Sequence, residues 1–308
     1  MAVPCHSHND YWRRVPLFDA LHWGCIGVEA DVWHFDDELY VGHNLASLTA
    51  NRTFGSLYID PLVKLLDSMN PSTEFTEATG HGVFDVDPDQ TLVLLVDFKT
   101  NGRDTFLAVS QQLESLREKG YLSFWDGSKV NSRAVTVVGT GKTPFHMVVS
   151  NTTYRDIFFD APLKAFWEHP KNSIAASNSN GGHRAGNGAS LPASIEAASN
   201  QGKGATDDFA SPNAFDTSTS YYASTSFAST IGSVWRGHLT PRQMDIIRGQ
   251  IRGAKRRGLK VRYWDTPSWP VSLRNHIWHV LMKEGADMLN VDDLRAAAVE
   301  DWKRRTHD

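Results

Sequence analysis

Eight short apolar segments of strand length occur along this chain of 308 residues, and longer helical patterns separate several of them. The predicted helices are residues 58–68, 103–119, 241–257 and 268–284, and the predicted strands are residues 3–8, 25–33, 91–98, 134–139, 156–160, 221–227, 260–265 and 287–291. Apolar strands that alternate with helices are typical of an α/β fold with a parallel sheet. Eight such strands over this length predict a (β/α)8 TIM barrel.

One long segment departs from this pattern. Residues 172–220 are rich in Asn, Ser, Gly and Ala, a composition that packs poorly. We expect a flexible insertion or lid beside the barrel mouth, since long loops in compact domains are usually functional or disordered. A linker between two domains is the alternative. The residues after 220 supply the last three strands and are too few for a separate domain, so we predict one domain over residues 1–308.

The composition argues against several partners. The formal net charge is −4 at pH 7 and the pI is about 6.3, whereas nucleic-acid binding requires clustered basic residues. We therefore expect no nucleic-acid partner. No apolar run approaches the roughly 20 residues of a membrane helix, so at most peripheral membrane contact is expected. We also expect the protein to be a monomer.

Two cysteines and two N-glycosylation sequons provide information about the cellular compartment of the protein. Cys5 and Cys25 lie in or beside apolar segments and are predicted to be ordinary buried thiols. The sequons at Asn51 and Asn151 are compatible with secretion. Candidate chemistry begins as early as residue 6, so a targeting segment could have preceded residue 1. If such a targeting segment has been removed, we expect the protein to enter the secretory pathway or to be secreted.

Three carboxylates lie at or near the ends of two predicted strands. Glu29 and Asp31 share a face of their strand because side chains alternate with period two, and Asp97 ends the apolar run over residues 92–96. Buried carboxylates require a cation or hydrogen bonds. An oxygen-rich set of this kind favours a hard divalent cation, so we predict Mg²⁺, with Ca²⁺ or Mn²⁺ as alternatives. A structural ion-pair cluster with Lys99 is the competing interpretation.

Histidines accompany these carboxylates. His6 and His8 share a face at the end of the first predicted strand, and His43 follows a predicted hairpin. Imidazole can give and take protons near neutral pH. Two histidines on opposite sides of a phosphodiester could activate the attacking oxygen and protonate the leaving oxygen. We predict that His6 and His43 form this pair, while His8 considered alone is more typical of a structural residue.

Together these residues resemble a known superfamily. The pattern of His6, Glu29-x-Asp31, His43 and Asp97-x-Lys99 is similar to the PLC-like phosphodiesterases, which include glycerophosphodiester phosphodiesterases and sphingomyelinase D type phospholipases. The opening His-Ser-His-Asn-Asp-Tyr, with Glu-Ala-Asp-Val-Trp and Val-Gly-His, resembles more specifically the fungal proteins of the altered inheritance of mitochondria type. The resemblance runs from residue 6 to about residue 100 and returns over residues 261–264 and 285–290.

The resemblance implies a phosphoric diester hydrolase that depends on a divalent metal ion. The substrate would be a phospholipid, a glycerophosphodiester or a sugar phosphodiester, cleaved by hydrolysis or through a cyclic phosphate. The resemblance further implies a residue set: metal ligands Glu29, Asp31 and Asp97, an acid–base pair His6 and His43, a phosphate-binding Lys99, and substrate-binding residues His8, Asn9, Trp264 and Asn290.

Two alternatives stay open. His6-x-His8 also resembles the metal pair on the first strand of amidohydrolases and PHP-like phosphoesterases, whose zinc or manganese ions are held by further histidines. The candidates for that role are His146, His183 and His238, with Asp292. The second alternative is a barrel without catalytic activity that binds lipid head groups or glycans by aromatic stacking, through Trp264, Trp269, Tyr11 and Trp33.

Overall fold

The computed structural model describes residues 1–71, 74–75, 80–169 and 211–299. Its strands are β1 (Val3–Ser7), β2 (Cys25–Phe35), β3 (Glu38–Val41), β4 (Leu92–Phe98), β5 (Phe124–Trp125), β6 (Val130–Asn131), β7 (Val135–Gly141), β8 (Ile157–Pro162), β9 (Ser220–Ser226), β10 (Lys260–Trp264) and β11 (Met288–Val291). Eight of them pair in parallel in the order β1-β11-β10-β9-β8-β7-β4-β2, and pairing of β1 with β2 closes the ring. The predicted (β/α)8 barrel is confirmed.

Helices surround the barrel. They are α1 (Phe18–His22), α2 (Asp60–Met69), α3 (Gly102–Gln112), α4 (Glu114–Glu118), α5 (Phe145–Val148), α6 (Phe227–Thr230), α7 (Pro241–Arg256), α8 (Val271–Glu284) and α9 (Leu294–Ala298). The predicted helix over residues 103–119 is divided in two at Leu113. The helix predicted from residue 268 begins only at Val271, because a proline at 270 disfavours helical backbone at the residue before it.

The strands separate an apolar layer from a polar one. Outward side chains such as Val28, Ala30 and Val96 are fully buried in the main apolar core between the sheet and the helices. Inward side chains near the carboxyl ends of the strands are polar and also buried, including Glu29 and Asp97. This placement at the carboxyl ends is where TIM barrels carry their active sites.

Most of the predicted insertion, residues 172–210, lies outside the described residues. Residues 211–219 include a short 3-10 turn over Pro212–Ala214, and β9 begins at Ser220, so the predicted end of the insertion runs one residue into a strand. The assignment of residues 1–308 to one domain therefore stays a prediction.

The prediction of free thiols is wrong. Cys5 and Cys25 form a disulfide bond, with 4.7 Å between their Cα atoms, and the described residues contain no free cysteine. The two residues lie on β1 and β2, which are neighbours in the barrel, and both side chains are fully buried. Their proximity follows from strand pairing, which the spacing of 20 residues does not reveal.

Removal of this bond should lower stability. A double variant, Cys5→Ala with Cys25→Ala, is expected to lose about 3 kcal/mol of unfolding free energy, because the unfolded chain regains the freedom of a loop of about 20 residues. Urea unfolding followed by circular dichroism, with and without dithiothreitol, measures the loss. Reductant should shift the wild-type midpoint and leave the double variant unchanged. Identical wild-type midpoints in both conditions would argue against the bond.

Candidate active site

Three acidic side chains converge at the carboxyl ends of β2 and β4. Glu29 and Asp31 face the barrel interior from β2, and Asp97 lies beside Asp31 because the two residues are partners in the parallel register. One carboxylate oxygen from each lies within 4.8 Å of the others, and all three side chains are buried. The predicted cluster is thus brought together, with a spacing that could hold one metal ion.

The electrostatics of the cluster fit a cation. Burial, together with the charge of Asp97, raises the pKa of Asp31, although Lys99 opposes the shift. One oxygen of Asp31, Oδ1, is buried and has no hydrogen-bond partner among the residues that the structure describes. A buried acceptor of this kind is costly unless a cation or donor reaches it. An all-oxygen donor set is the kind that Mg²⁺, Ca²⁺ and Mn²⁺ prefer.

Lys99 lies at the edge of the cluster. Its Nζ is 2.6 Å from Oδ2 of Asp97 and 3.0 Å from Oδ2 of Asp31. Burial alone would lower the pKa of Lys99, but the two carboxylates raise it, so the ammonium group stays charged. The side chain is 22% exposed, which leaves part of it accessible to a ligand. The ion pair that competed with the metal interpretation therefore exists alongside the metal-compatible cluster.

His6 lies beneath the cluster. Its Nε2 is 3.5 Å from Oε2 of Glu29, and the side chain is fully buried. The ring rests on Gly27, where a Cβ atom would lie only 2.3 Å from the Nδ1 of His6. Burial lowers the pKa of His6 to about 4, although Glu29 opposes the shift, so the imidazole is neutral at pH 7.

His43 approaches the cluster from the segment that follows β3. Asp36 and Asp37 both have positive φ, as a tight hairpin turn of type I′ requires, and they reverse the chain between β2 and β3. The Nδ1 of His43 then lies 3.7 Å from Oδ2 of Asp31. Its side chain is 50% exposed, so it can meet both solvent and substrate. The ring also packs against Trp12, at 5.0 Å between centroids.

Tyr11 links the histidine to the carboxylates, a role that the sequence did not reveal. Its hydroxyl is 2.7 Å from Oδ2 of Asp31, 2.7 Å from Oδ1 of Asn9 and 3.3 Å from Nδ1 of His43. Burial and the charge of Asp31 raise the pKa of Tyr11, so the hydroxyl remains a donor. Asn9 adopts left-handed backbone, which Asn tolerates better than most residues.

His8 lies at the end of β1 and faces a different partner. Its Nδ1 is 2.9 Å from Oδ1 of Asp292, which follows β11. The His8 side chain is 25% exposed. Burial alone would lower the pKa of His8, but the charges of Glu29 and Asp292 raise it. His8 is therefore an oriented imidazole at the rim of the site.

Two interior residues from β8 and β10 were missed by the sequence analysis. Arg262 is fully buried inside the barrel, with Nη2 3.9 Å from Oε2 of Glu29 and Nη1 3.4 Å from Oδ1 of Asn290. Asp160 is also fully buried. A period-two pattern in β10 could have assigned Arg262 to the inner face, but only the closed ring shows which residues it meets. Trp264, the remaining predicted substrate-binding residue, is 9% exposed.

The buried Asp160 should make stability depend on pH. Burial raises its pKa to about 6, although Arg262 opposes the shift, whereas an unfolded aspartate titrates near 3.9. A raised pKa contributes stability that is present below the unfolded pKa and is lost as pH rises through the folded value.

An Asp160→Asn variant cannot ionise at this position. From about pH 4 to pH 7, the wild-type unfolding free energy should therefore fall by up to about 3 kcal/mol relative to this variant. Urea titrations of both proteins at several pH values, with chelator present, measure the difference. If the unfolding free energies of the two proteins changed in parallel with pH, this prediction would be wrong.

The histidine-rich metal site is not formed by the described residues. Among them, the only group of at least three metal-ligating side chains is the cluster of Glu29, Asp31 and Asp97. His146 and His238 are exposed on α5 and in the loop after α6, and Asp292 contacts His8. His183 lies outside the described residues.

Three of the four aromatic residues proposed to stack on lipid head groups or glycans are buried or hydrogen-bonded within the protein. Tyr11 and Trp264 are buried, and the indole N–H of Trp33 donates to the carbonyl oxygen of Gly42 at 2.7 Å. Trp269 is 78% exposed. These four rings therefore offer one open face rather than a stacking platform.

The chain is similar to fungal proteins over almost its whole length. It is 37% identical to the altered inheritance of mitochondria protein 6 homolog of Arthroderma benhamiae over 306 residues, which cover 96% of this chain and 82% of that protein. It is 33% identical to altered inheritance of mitochondria protein 6 of Eremothecium gossypii over 302 residues (95% of this chain, 68% of that protein). The protein of the same name in Saccharomyces cerevisiae is 30% identical over 313 residues (96% and 70%).

A family described as AIM6-like phosphodiesterase domain matches residues 1–160, the half of the chain that carries the three carboxylates. No solved structure matches the chain.

Proposed function

Because the chain belongs to the family of AIM6-like phosphodiesterase domains, we propose that it is a phosphoric diester hydrolase that depends on a divalent metal ion. The family membership confirms the resemblance to the fungal altered inheritance of mitochondria type. The observation that carries the proposal is the convergence of Glu29, Asp31 and Asp97 with Lys99 at their edge. Such an arrangement combines a cation site with a positive group for phosphate.

The charge balance inside the barrel supports a divalent ion. The three clustered carboxylates, Glu29, Asp31 and Asp97, lie near two cations among the described residues, Lys99 and Arg262. Burial raises the pKa of Asp31 and the negative charge of Asp97 raises it further, so a bound cation would relieve this repulsion between buried carboxylates. We propose Mg²⁺, held by the three clustered carboxylates, with Ca²⁺ and Mn²⁺ as alternatives. The bound ion would stabilise charge on a phosphate oxygen in the transition state.

The side chains around the cluster would bind and orient the diester. Lys99, already charged and partly exposed, would contact a non-bridging phosphate oxygen. His43 would take the proton of the attacking water or hydroxyl, since it is half exposed and its Nδ1 is held near Asp31 and Tyr11. His6 was predicted as its partner. Its neutral ring is enclosed against Glu29, which supports a role in orienting that carboxylate, whereas its part in proton transfer is what the family resemblance implies.

The substrate would be a small-molecule or lipid phosphodiester. We propose neither a nucleic-acid partner nor a second copy of the chain. The net charge of −4 supports the expectation of no nucleic-acid partner. No helix among the described residues is long and apolar enough to cross a membrane. A monomer with at most peripheral membrane contact remains our proposal.

The disulfide bond supports the proposal of a secretory compartment. Disulfide bonds persist in oxidising environments and are rare in the cytosol. The bond between Cys5 and Cys25 and the exposed sequon residues Asn51 and Asn151 are all compatible with such a compartment.

Metal dependence is the first test of the function. Isothermal titration of the metal-free protein with Mg²⁺ should show one site per chain. Hydrolysis of bis(p-nitrophenyl) phosphate should stop when EDTA is added and recover when excess Mg²⁺ follows. Tightly bound zinc in metal analysis would contradict the choice of Mg²⁺, and full activity in EDTA would remove the metal from the reaction.

A further inference from the structure

Asn151 begins an Asn-Thr-Thr sequence in the loop between α5 and β8. In a TIM barrel, the connection from a helix to the next strand lies at the amino ends of the strands, whereas the active site lies at their carboxyl ends. Asn151 is therefore at the end of the barrel opposite the three clustered carboxylates. The proposed function makes no use of this loop.

The loop holds the side chain of Asn151 in one orientation. Its Oδ1 accepts hydrogen bonds from the backbone N–H of Thr153, the hydroxyl of Thr153 and the backbone N–H of Tyr154, each at 3.0 Å. Its Nδ2 has no hydrogen-bond partner among the described residues. Asn151, Thr152 and Thr153 are all exposed. The amide nitrogen is thus the atom of this side chain that can react with a molecule from solution.

The hairpin of β5 and β6 supports this loop. Trp125 of β5 and Arg155 exchange two backbone hydrogen bonds, with N···O distances of 2.7 and 3.0 Å. The guanidinium group of Arg155 also donates to the carbonyl oxygen of Asn151 at 3.1 Å. The exposure of Asn151 therefore belongs to a turn that is hydrogen-bonded to the rest of the domain, so a group attached there would leave the fold unchanged.

Asn151 lies on the wall of a groove of about 290 Å³, which Phe106, Ser150 and Tyr154 also line. The volume corresponds to about ten water molecules, enough for roughly one sugar ring. The ring of Tyr154 is stacked on Phe124, with 5.2 Å between the ring centroids. The lining combines apolar faces with hydroxyl groups, which suits the faces and hydroxyls of a sugar. The surface around Asn151 thus has room for the first sugar of a glycan.

The other sequon, at Asn51, has different surroundings. It follows β3, and the guanidinium group of Arg52 donates to the carbonyl oxygen of Tyr11, whose hydroxyl contacts the carboxylate cluster. Arg52 and Thr53 are half-buried, and the hydroxyl of Thr53 is already bonded to another side chain. A bulky glycan at Asn51 would stand beside the candidate active site, whereas a glycan at Asn151 would not.

We propose that Asn151 carries an N-linked glycan in the folded protein. The inference rests on the proposed secretory compartment and is independent of the metal site. The donor would be an oligosaccharide linked to a lipid diphosphate. The Nδ2 of Asn151 forms a bond to the anomeric carbon of that oligosaccharide and gives up one of its protons. The bond from the anomeric carbon to the phosphate oxygen breaks, and its electron pair leaves with the lipid diphosphate.

Peptide mapping tests the site directly. The protein is expressed from its complete gene in a fungal host and treated with peptide-N-glycosidase F in heavy-oxygen water, which converts a glycosylated asparagine to labelled aspartate. We expect label at Asn151. Asn213, which is exposed but lies outside any sequon, is the control for spontaneous deamidation and should stay unlabelled. Label at Asn151, with or without label at Asn51, supports the inference. Label at Asn51 alone, or at neither sequon, overturns it.

Two variants of Thr153 provide a matched comparison. Thr153→Val destroys the sequon and keeps Asn151, whereas Thr153→Ser keeps a hydroxyl group and the sequon. On gels, the mobility shift caused by deglycosylation should be the same for wild type and Thr153→Ser. For Thr153→Val it should be smaller by one glycan. Equal shifts for all three proteins would overturn the inference, and if Thr153→Val does not fold, the peptide mapping of the wild-type protein decides.

A second expression separates the two ways in which the inference can fail. The chain is secreted behind an added signal sequence, so that it meets the glycosylation machinery whatever its native compartment. If this secreted protein has its disulfide bond but no glycan at Asn151, the assignment of the acceptor is wrong. If it carries the glycan and the protein from its own gene does not, the compartment is wrong, and the inference falls with it. Neither result changes the test of metal-dependent hydrolysis with EDTA.

Discussion

Replacement of Asp97 by asparagine is expected to lower kcat toward bis(p-nitrophenyl) phosphate by at least about 10²–10³-fold while the barrel stays folded. Asparagine keeps the shape of the side chain but removes one of the three negative charges that converge within 4.8 Å. The metal site should weaken in parallel. Lys99 would keep a partner, because its Nζ also lies 3.0 Å from Asp31.

An Asp156→Asn variant provides the matched control. Asp156 is also a buried carboxylate, but it lies at the amino end of β8 and pairs with Arg117 at 2.5 Å. Its loss should lower stability and leave kcat nearly unchanged. Mg²⁺ titration measures the metal affinity of both variants, circular dichroism their folding, and steady-state kinetics their kcat. If Asp97→Asn keeps wild-type activity, the carboxylate cluster is structural and the proposed function loses its main support.

The second large effect is expected at His43. A His43→Gln variant should lose about 10²–10⁴-fold in kcat, the usual contribution of a general acid or base. Mg²⁺ affinity should change little, because His43 contacts the cluster only at its edge, 3.7 Å from Asp31. Because the His43 side chain is 50% exposed, we expect the variant to fold like the wild-type protein.

His146, exposed on α5, gives the control for this variant. His146→Gln should retain wild-type kinetics under the same conditions. Single-turnover measurements separate the chemical step from product release. A His43→Gln protein with an unchanged chemical step would assign proton removal to another group.

Much of the fold could be predicted because barrel strands carry local signals. Each of the eight predicted strands coincides with an observed one, since buried parallel strands are short apolar runs. The pairing of Glu29 with Asp31 follows from period-two alternation alone. The hairpin that delivers His43 was also visible, because Asp36 and Asp37 separate two apolar segments.

The rest of the site depends on contacts between distant parts of the chain. His8 and Asp292 are 284 positions apart, and Arg262 meets Glu29 only across the barrel interior. The disulfide bond was missed for a related reason, since it requires the adjacency of β1 and β2. Short helices such as α5 and α6 have too few residues for a periodic pattern to appear.

The closure of the barrel has a consequence for how this protein folds during its synthesis. The partner of Cys5 across the β1–β11 seam is Leu289, so the seam joins opposite extremes of the polypeptide. Closing so large a loop is costly in chain entropy until many other contacts exist. A nascent chain that stops before Met288 leaves β1 with a bare edge on one side and His8 without its carboxylate. Catalytic competence should therefore arrive abruptly, with the last strand, rather than accumulate as the polypeptide lengthens.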